Sequence, residues 1–337
     1  MREAMIRRGT VATAVLLSAL LASPDVARAD AAGPTDYRSE ITRVATADGS
    51  PVPTGFVISV VGHDSFLLLS VEPGTAAEVP GYEGEPYLRF DADGSVFENR
   101  LSFSTIYNQD RYGSVERPDY VDHSAAPEWI RVDNDGSYAW HDHRIHYMDP
   151  RPPIGAQPGD VIIETSVPIQ IDDVAVEVNV ESTLLESNSP IAMIVVSALI
   201  AIGGGLMLLR RPPVALAQTA LASALTAFAA GIGWFLSAPS DTDPSLSWLL
   251  LPATGAIAAA FALIAARRAR AFLANGAALI AAVQLATWIP TRLDSYTAAL
   301  IPTALPQWLD RGMTAAVVGV VVALAASAIT ALLRPLQ

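Results

Sequence analysis

The hydropathy of the chain changes abruptly at Ile191, so its two parts must fold in different surroundings. Beyond this residue come blocks of Ala, Leu, Ile, Val and Gly that are each about 20 residues long, the length that an α-helix needs to cross a bilayer. We predict five membrane-spanning helices within residues 191–337, over Ile191–Leu209, Val214–Leu236, Leu246–Ala266, Ala271–Ile289 and Met313–Leu333. No Asp, Glu, Arg, Lys or His lies in these ranges, which favours an anchor or a partner-binding bundle over an ion or proton transporter.

The first 29 residues have the composition of an export signal. A basic start is followed by an apolar run at Thr10–Ala22 and by the small-residue sequence Ala27-Arg28-Ala29. We predict a signal peptide at residues 1–29 and an extracytoplasmic domain at residues 30–190. Positively charged loops stay in the cytoplasm, and arginines outside the predicted spans cluster accordingly at Arg210 and Arg211, at Arg267, Arg268 and Arg270, and at Arg334. The expected location is the cell membrane, with several spans and a cytoplasmic C-terminus.

The predicted extracytoplasmic domain is strongly acidic. Residues 30–190 carry 28 acidic side chains against 9 arginines, a formal charge of −19. Such a domain repels nucleic acid, so the expected partners are the membrane and membrane or envelope proteins. The chain has no cysteine, which excludes thiolate metal sites and cysteine nucleophiles. It also lacks a Gly-x-Ser-x-Gly elbow and a phosphate-binding loop, and we predict no enzymatic activity.

Short runs of β-branched and aromatic residues predict an all-β immunoglobulin-like sandwich in this domain. The runs are Glu40–Thr46, Gly55–Val61, Ser65–Val71, Pro86–Phe90, Ser95–Glu98, Trp129–Val132, Tyr138–His146, Val161–Ile171 and Val174–Leu184. The last two are expected to form a hairpin across Asp172-Asp173. In the final run, valines alternate with mainly polar residues, which gives the strand one apolar face. Residues 101–127 lack such alternation and are predicted as an insertion with a short helical segment at Ser102–Asn108.

All five histidines lie in the predicted extracytoplasmic domain, and three of them fall between Trp140 and Met148. A tight turn at Asn134-Asp135-Gly136 predicts a hairpin of Trp129–Val132 with Tyr138–His146. If the second arm is extended, His141 and His143 point to one face, with their Cα atoms about 6.5–7 Å apart. Two imidazoles in this arrangement can chelate one metal ion.

A metal ion needs further ligands, and the sequence leaves the choice open. His123, His63 or Met148 can complete the site from elsewhere, whereas His146 joins only if the strand bulges or ends before it. Imidazole and thioether donors in a cysteine-free, oxidising setting favour copper, with zinc second. We therefore predict a non-enzymatic, metal-binding envelope protein.

The alternative is that the histidines are structural. Asp142 and Arg144 stand two residues apart and can form a salt bridge, and histidines beside aromatic rings often only satisfy hydrogen bonds. In that case the protein is an envelope scaffold or sensor whose sandwich binds a protein or cell-wall partner.

Four phrases resemble an uncharacterised actinobacterial family of exported, membrane-anchored proteins. They are Gly81-Tyr82-Glu83-Gly84-Glu85-Pro86-Tyr87-Leu88-Arg89, Val96-Phe97-Glu98-Asn99-Arg100, Pro127-Glu128-Trp129 and Trp140-His141-Asp142-His143-Arg144-Ile145-His146. The resemblance covers roughly Val57 to Ile171, and its histidine phrase is the most specific part. Two departures are Tyr147 in place of a tryptophan and Ser102-Phe103-Ser104-Thr105 in place of Ser-Pro-Ala-Thr. The resemblance implies an actinobacterial envelope location and no particular activity.

Overall fold

The computed structural model describes residues 32–149 and 151–333, so the predicted signal peptide and Arg334 lie outside the described residues. The described chain divides into two compact units. A β unit holds the residues up to Ser187 together with Ala238–Pro244. A helical unit holds Asn188–Ser237 and the residues from Ser245 onwards.

The β unit is a two-layer antiparallel sandwich, as the sequence predicts. Its strands β1 to β10 are Tyr37–Thr46, Phe56–Val61, Phe66–Val71, Ala77–Pro80, Pro86–Phe90, Val96–Asn99, Trp129–Asp133, Ser137–His141, Val161–Ile171 and Val174–Leu184. A seven-stranded sheet has the order β1-β10-β9-β4-β5-β6-β7, and a three-stranded sheet has the order β2-β3-β8. A short helix α1, Phe103–Tyr107, lies within the segment where a helical turn was predicted.

The core of the β unit lies between the two sheets. Val176, Val178 and Val180 of β10 are buried, whereas the polar residues between them are partly exposed, so the predicted alternation is confirmed. These valines belong to one apolar cluster with Leu67 and Leu69 of the small sheet. Burial of both apolar faces closes the sandwich without a disulfide.

Of the two predicted hairpins, one is confirmed. Strands β9 and β10 pair across Asp172-Asp173, whose φ values of 47° and 67° suit a two-residue turn. The other hairpin is wrong, because β7 pairs with β6 in the large sheet and β8 pairs with β3 in the small sheet. Gly136 accounts for the difference: its N–H donates to the carbonyl of Gly94, and its carbonyl accepts the N–H of Val71, each at 2.8 Å. The turn at Gly136 therefore carries the chain from one layer to the other.

The helical unit contains five helices that are long and apolar enough to cross a membrane. Helices α2 to α6 are Ile191–Leu208, Pro213–Phe235, Ser247–Arg267, Ala271–Trp288 and Gln307–Leu333. They agree with the five predicted spans, except that α6 begins before Met313.

The predicted spans are free of charge, but two helical segments extend beyond them and these extensions carry charged residues. Helix α5 continues as a 3₁₀ helix over Ile289–Tyr296, and α6 begins at Gln307. These extensions include Arg292, Asp310 and Arg311, all of which are buried. The predicted spans stop before these residues because they were drawn from hydropathy alone. A charged side chain can nevertheless be buried among helices when it is paired.

Candidate metal centre

Strand β8 ends at His141 because Asp142 turns the chain. The Oδ1 atom of Asp142 accepts the backbone N–H of Arg144 at 3.0 Å, and its carbonyl accepts the N–H of Ile145 at 3.1 Å. This Asx-type turn replaces the extended arm that was predicted to reach His146. Ile145 then joins the sandwich core, which holds the turn by burial. The strand therefore ends before His146. This is the condition under which the sequence analysis expected His146 to join the other histidines.

The turn brings three imidazole rings close together. His141, His143 and His146 each offer a ring nitrogen, and these three atoms lie within 4.8 Å of one another. The ring centroids are 4.5 to 5.1 Å apart. The three residues are 6%, 8% and 1% exposed. Nitrogen ligands of one zinc ion stand roughly 3.3 Å apart, so the three nitrogens would have to move closer together to hold an ion.

Hydrogen bonds to carbonyl groups fix the tautomers of two of the rings. Nε2 of His143 donates to the carbonyl of Tyr107 at 3.0 Å, and Nδ1 of His146 donates to the carbonyl of Tyr147 at 3.2 Å. A carbonyl can only accept, so each of these nitrogens carries the proton. The opposite nitrogens, Nδ1 of His143 and Nε2 of His146, present lone pairs and are buried without a hydrogen-bond partner. Metal-binding histidines use their second nitrogen in the same way.

His141 supplies the third ring, on the face of the small sheet that lies opposite to Trp140. Its backbone pairs with Phe66 of β3, and the two rings pack edge to face with centroids 5.8 Å apart. Neither ring nitrogen of His141 makes a hydrogen bond of normal geometry within the described residues. Because His143 and His146 direct their N–H groups outward, the single N–H of His141 could satisfy only one of their two remaining lone pairs, so the three rings cannot fully satisfy one another. A bound cation would accept the lone pairs that remain.

Burial lowers the pKa of all three rings, which keeps them neutral and able to bind a metal. The pKa of His146 falls to about 3, and the pKa values of His141 and His143 also lie below the ordinary histidine value. The positive charge of Arg111 contributes in the same direction. Arg111 forms a salt bridge of 2.5 Å with the buried carboxylate of Asp64, which offsets part of the positive field that a metal ion would meet.

A buried ion pair holds the loop that carries the histidines. The carboxylate of Asp142 accepts hydrogen bonds from Nε1 of Trp140 at 2.9 Å and from Nε and Nη2 of Arg144 at 2.8 and 2.6 Å. Burial alone would raise the pKa of Asp142, but the charge and hydrogen bonds of Arg144 outweigh it and leave the pKa below its ordinary value. The predicted salt bridge is therefore present, across a turn and not along a strand.

Residues outside the histidine segment complete the site, and the sequence did not single them out. Tyr107, the last residue of α1, stacks its ring on that of His143 with centroids 4.3 Å apart. The phenol oxygen of Tyr82 accepts the backbone N–H of His143 at 2.9 Å and donates to the side chain of Asn108. The only sequence feature that could have indicated Tyr82 and Tyr107 was the aromatic content of the predicted insertion and of the segment before it. Every residue has a backbone carbonyl, so the acceptor role of the Tyr107 carbonyl cannot be predicted from sequence.

The other predicted ligands are not part of the group of three. His123 is exposed, and its Nδ1 lies 3.3 Å from the carboxylate of Glu83. His63 stands in a turn with φ of 70°, and its carbonyl accepts the N–H of Ser39. Met148 is half-buried, and its role as a ligand stays a prediction.

No protein-family model, curated protein or solved structure matches the chain.

The metal-free protein is expected to lose stability as the pH falls from 6.5 towards 4. The unfolded chain protonates its histidines near pH 6.5, whereas the folded chain resists protonation of the buried rings, so acid favours the unfolded state. With a folded pKa of about 3 for His146, this residue alone should cost about 2 kcal/mol at pH 5. Urea unfolding in chelator at pH 7 and pH 5 measures the loss.

The matched comparison is the His146→Gln variant, which should show a flatter dependence on pH. Glu98 acts with the opposite sign, because burial raises its pKa to about 7 and acid then favours the folded state. The difference between wild type and variant cancels this contribution. Parallel pH profiles for the two proteins would contradict the buried, neutral state of His146.

Proposed function

We propose that this protein is a membrane-anchored, extracytoplasmic metal-binding protein of the cell envelope, and that His141, His143 and His146 hold the ion. One observation carries the proposal. Each of these three clustered rings has a buried nitrogen without a hydrogen-bond partner, while two of the rings donate from their other nitrogen to carbonyl groups. A neutral donor set oriented in this way suits a cation better than it suits a structural network.

Copper is the first choice of metal. Imidazole suits both copper and zinc, but three neutral nitrogens supply no negative charge to offset a divalent ion. Arg111 adds positive charge near the rings, and Asp64 offsets only part of it. Monovalent copper carries the smaller charge and accepts three-coordinate nitrogen or thioether ligands, with Met148 as a candidate. Zinc is the second choice.

The proposed role is non-enzymatic. The three histidines expose less than a tenth of their surface, so a sizeable substrate would have little access to their ring nitrogens. Carriage, storage or sensing of the ion suits such a site better than chemistry on a bound molecule.

Metal analysis of the full-length chain, purified through a tag free of histidine, tests this proposal. About one copper or zinc ion per chain is expected after exposure to the metal and removal of the excess. Loss of the ion in the His141→Ala/His143→Ala variant would support the site. A wild-type chain that retains neither metal would contradict it.

A scaffold or sensor with structural histidines is the second candidate. It is favoured by the packing of His141 on Phe66 and of His143 on Tyr107 and by the Asp142 ion pair, which together hold the segment in place. In that case the sandwich would bind a protein or cell-wall partner, and the resemblance to exported actinobacterial proteins is compatible with either candidate.

The proposed orientation places residues 30–190 outside and the loop at Arg267 to Arg270 inside. It rests on the signal-like N-terminus and on the arginine clusters in the sequence. Reporter fusions after Pro190 and after Arg270 are expected to report opposite compartments. The same compartment at both positions would overturn the orientation.

A further inference from the structure

The helical unit contains a second polar centre, built around Arg292 in the 3₁₀ helix that follows α5. Arg292 and Asp310 of α6 are both 0% exposed, and Nη2 of Arg292 donates to Oδ1 of Asp310. The other carboxylate oxygen of Asp310 accepts the hydroxyl of Thr303 at 2.9 Å. Both oxygens of this carboxylate are therefore engaged.

Two tryptophans enclose the same guanidinium. The central carbon of Arg292 lies 3.6 Å from the ring centroid of Trp234 on α3 and 5.3 Å from that of Trp288 on α5. Trp234 and Trp288 are 1% and 0% exposed. Stacking on an aromatic face stabilises a guanidinium but satisfies none of its N–H groups, which lie in the plane of the group.

Buried donors outnumber acceptors around this guanidinium. Nε and Nη1 of Arg292 have no hydrogen-bond partner in the described part of the chain, nor do the indole N–H groups of Trp234 and Trp288. The hydroxyl of Thr314, one helical turn beyond Asp310, is buried and unpartnered as well. A buried donor that makes no hydrogen bond costs free energy in a low-dielectric interior. Several such donors around one guanidinium point to a missing acceptor.

We propose that this centre binds a phosphate-class oxyanion, held by Arg292, Trp234, Trp288 and Thr314. The donors come from α3, from α5 and its extension, and from α6, and a tetrahedral oxyanion offers several oxygens that can accept from them. A planar guanidinium is well suited to such a group. Inorganic phosphate and a phospholipid headgroup share this chemistry. The proposal is independent of the metal site, which lies in the β unit.

Ligand-dependent melting of the full-length chain in a glycoside detergent and phosphate-free buffer tests the proposal. One arm adds inorganic phosphate, with sodium chloride at equal ionic strength as reference. The other arm adds phosphatidylglycerol to the micelles, with a phosphate-free glycolipid as reference. We expect one of the phosphate probes to raise the melting midpoint, and the responding arm identifies the source.

Donor-deleting variants decide whether the response belongs to this centre. Trp234→Phe and Trp288→Phe keep an aromatic ring and lose the indole N–H, and Thr314→Val loses only the hydroxyl. Each should weaken the apparent affinity about tenfold or more, since a hydrogen bond to a charged group is lost. Trp308→Phe is the matched control, because Trp308 lies in the first turn of the same helix α6 but is 75% exposed.

The outcomes are distinct. A midpoint shift that weakens in the donor-deleting variants and is unchanged in Trp308→Phe supports the centre. The absence of a shift with either phosphate probe would overturn it, and so would equal affinities in wild type and all folded variants. Thr314→Val keeps the test valid if a tryptophan variant fails to fold.

Discussion

The Asp142→Ala variant is expected to lose about 3–5 kcal/mol of stability, because it leaves the guanidinium of Arg144 without its buried partner. Asp142 is fully buried and accepts four hydrogen bonds, three from Arg144 and one from the indole of Trp140. Its removal deprives all four donors of their acceptor and releases the turn that positions His143 and His146. For a domain of this size the expected fall in melting midpoint is roughly 6–20 °C, measured by calorimetry on the full-length chain.

A second Asp–Arg pair provides a matched control. Asp149 and Arg151 have the same spacing of two residues, but the side chains are 47% and 88% exposed and the charged atoms are 3.6 Å apart. Asp149→Ala should change stability by less than about 1 kcal/mol. Similar losses of stability in Asp142→Ala and Asp149→Ala would show that the contribution of Asp142 to stability does not depend on its burial. An Asp142→Ala/Arg144→Met chain should recover part of the loss, because the uncompensated charge is gone.

The features that sequence analysis predicted correctly depend on local repetition. The five helices follow from apolar blocks that are long enough to span a bilayer, and neither neighbouring segments nor partners are needed to recognise them. The last strand follows from alternation of Val176, Val178 and Val180 with polar residues, which fixes its buried face. The helices were therefore recognised by length and composition, and the strand by its period of two residues.

The features that it missed depend on contacts between distant segments. Gly136 suits a tight turn, but only its bonds to Gly94 and Val71 show that the turn joins two layers and not two strands of one sheet. Strand β4, Ala77–Pro80, has only four residues and ends in proline, so its alternation is too short to predict a strand. Such choices are made by tertiary hydrogen bonds and burial, which outweigh local propensity.

The sequence predicted the region of the candidate site but not which histidines come together in it. Crowding of histidines between Trp140 and Met148 indicated the region, whereas the third member depended on where β8 ends. The Asx-type turn at Asp142 was the local signal for that end. The centre around Arg292 gave no sequence signal, because a lone arginine beside a predicted span looks the same whether it faces water or is enclosed by tryptophans.

Replacing both His141 and His143 by alanine is expected to abolish metal-linked stabilisation while leaving a folded chain. An ion that binds only the folded state raises stability by RT ln(1 + [L]/Kd), about 2.7 kcal/mol at a hundredfold excess over Kd. The rings are not part of the sandwich core cluster, so the metal-free variant should keep its sheets. The measurement is the unfolding free energy at pH 7 with reduced copper, with zinc and with chelator.

Single variants identify the third ligand. His146→Ala should weaken metal affinity by at least roughly 100-fold, since it removes one of the three clustered rings, whose Nε2 is buried without a hydrogen-bond partner. His123→Ala is the matched control, because His123 is exposed and paired with Glu83, and its affinity should equal that of wild type. Burial lowers the pKa of the three rings, so binding to the folded chain should persist below pH 6.5, where free imidazole is already protonated. If His146→Ala binds as tightly as wild type, or if neither metal changes the unfolding free energy of wild type, the three rings are structural and the scaffold candidate takes the place of metal binding.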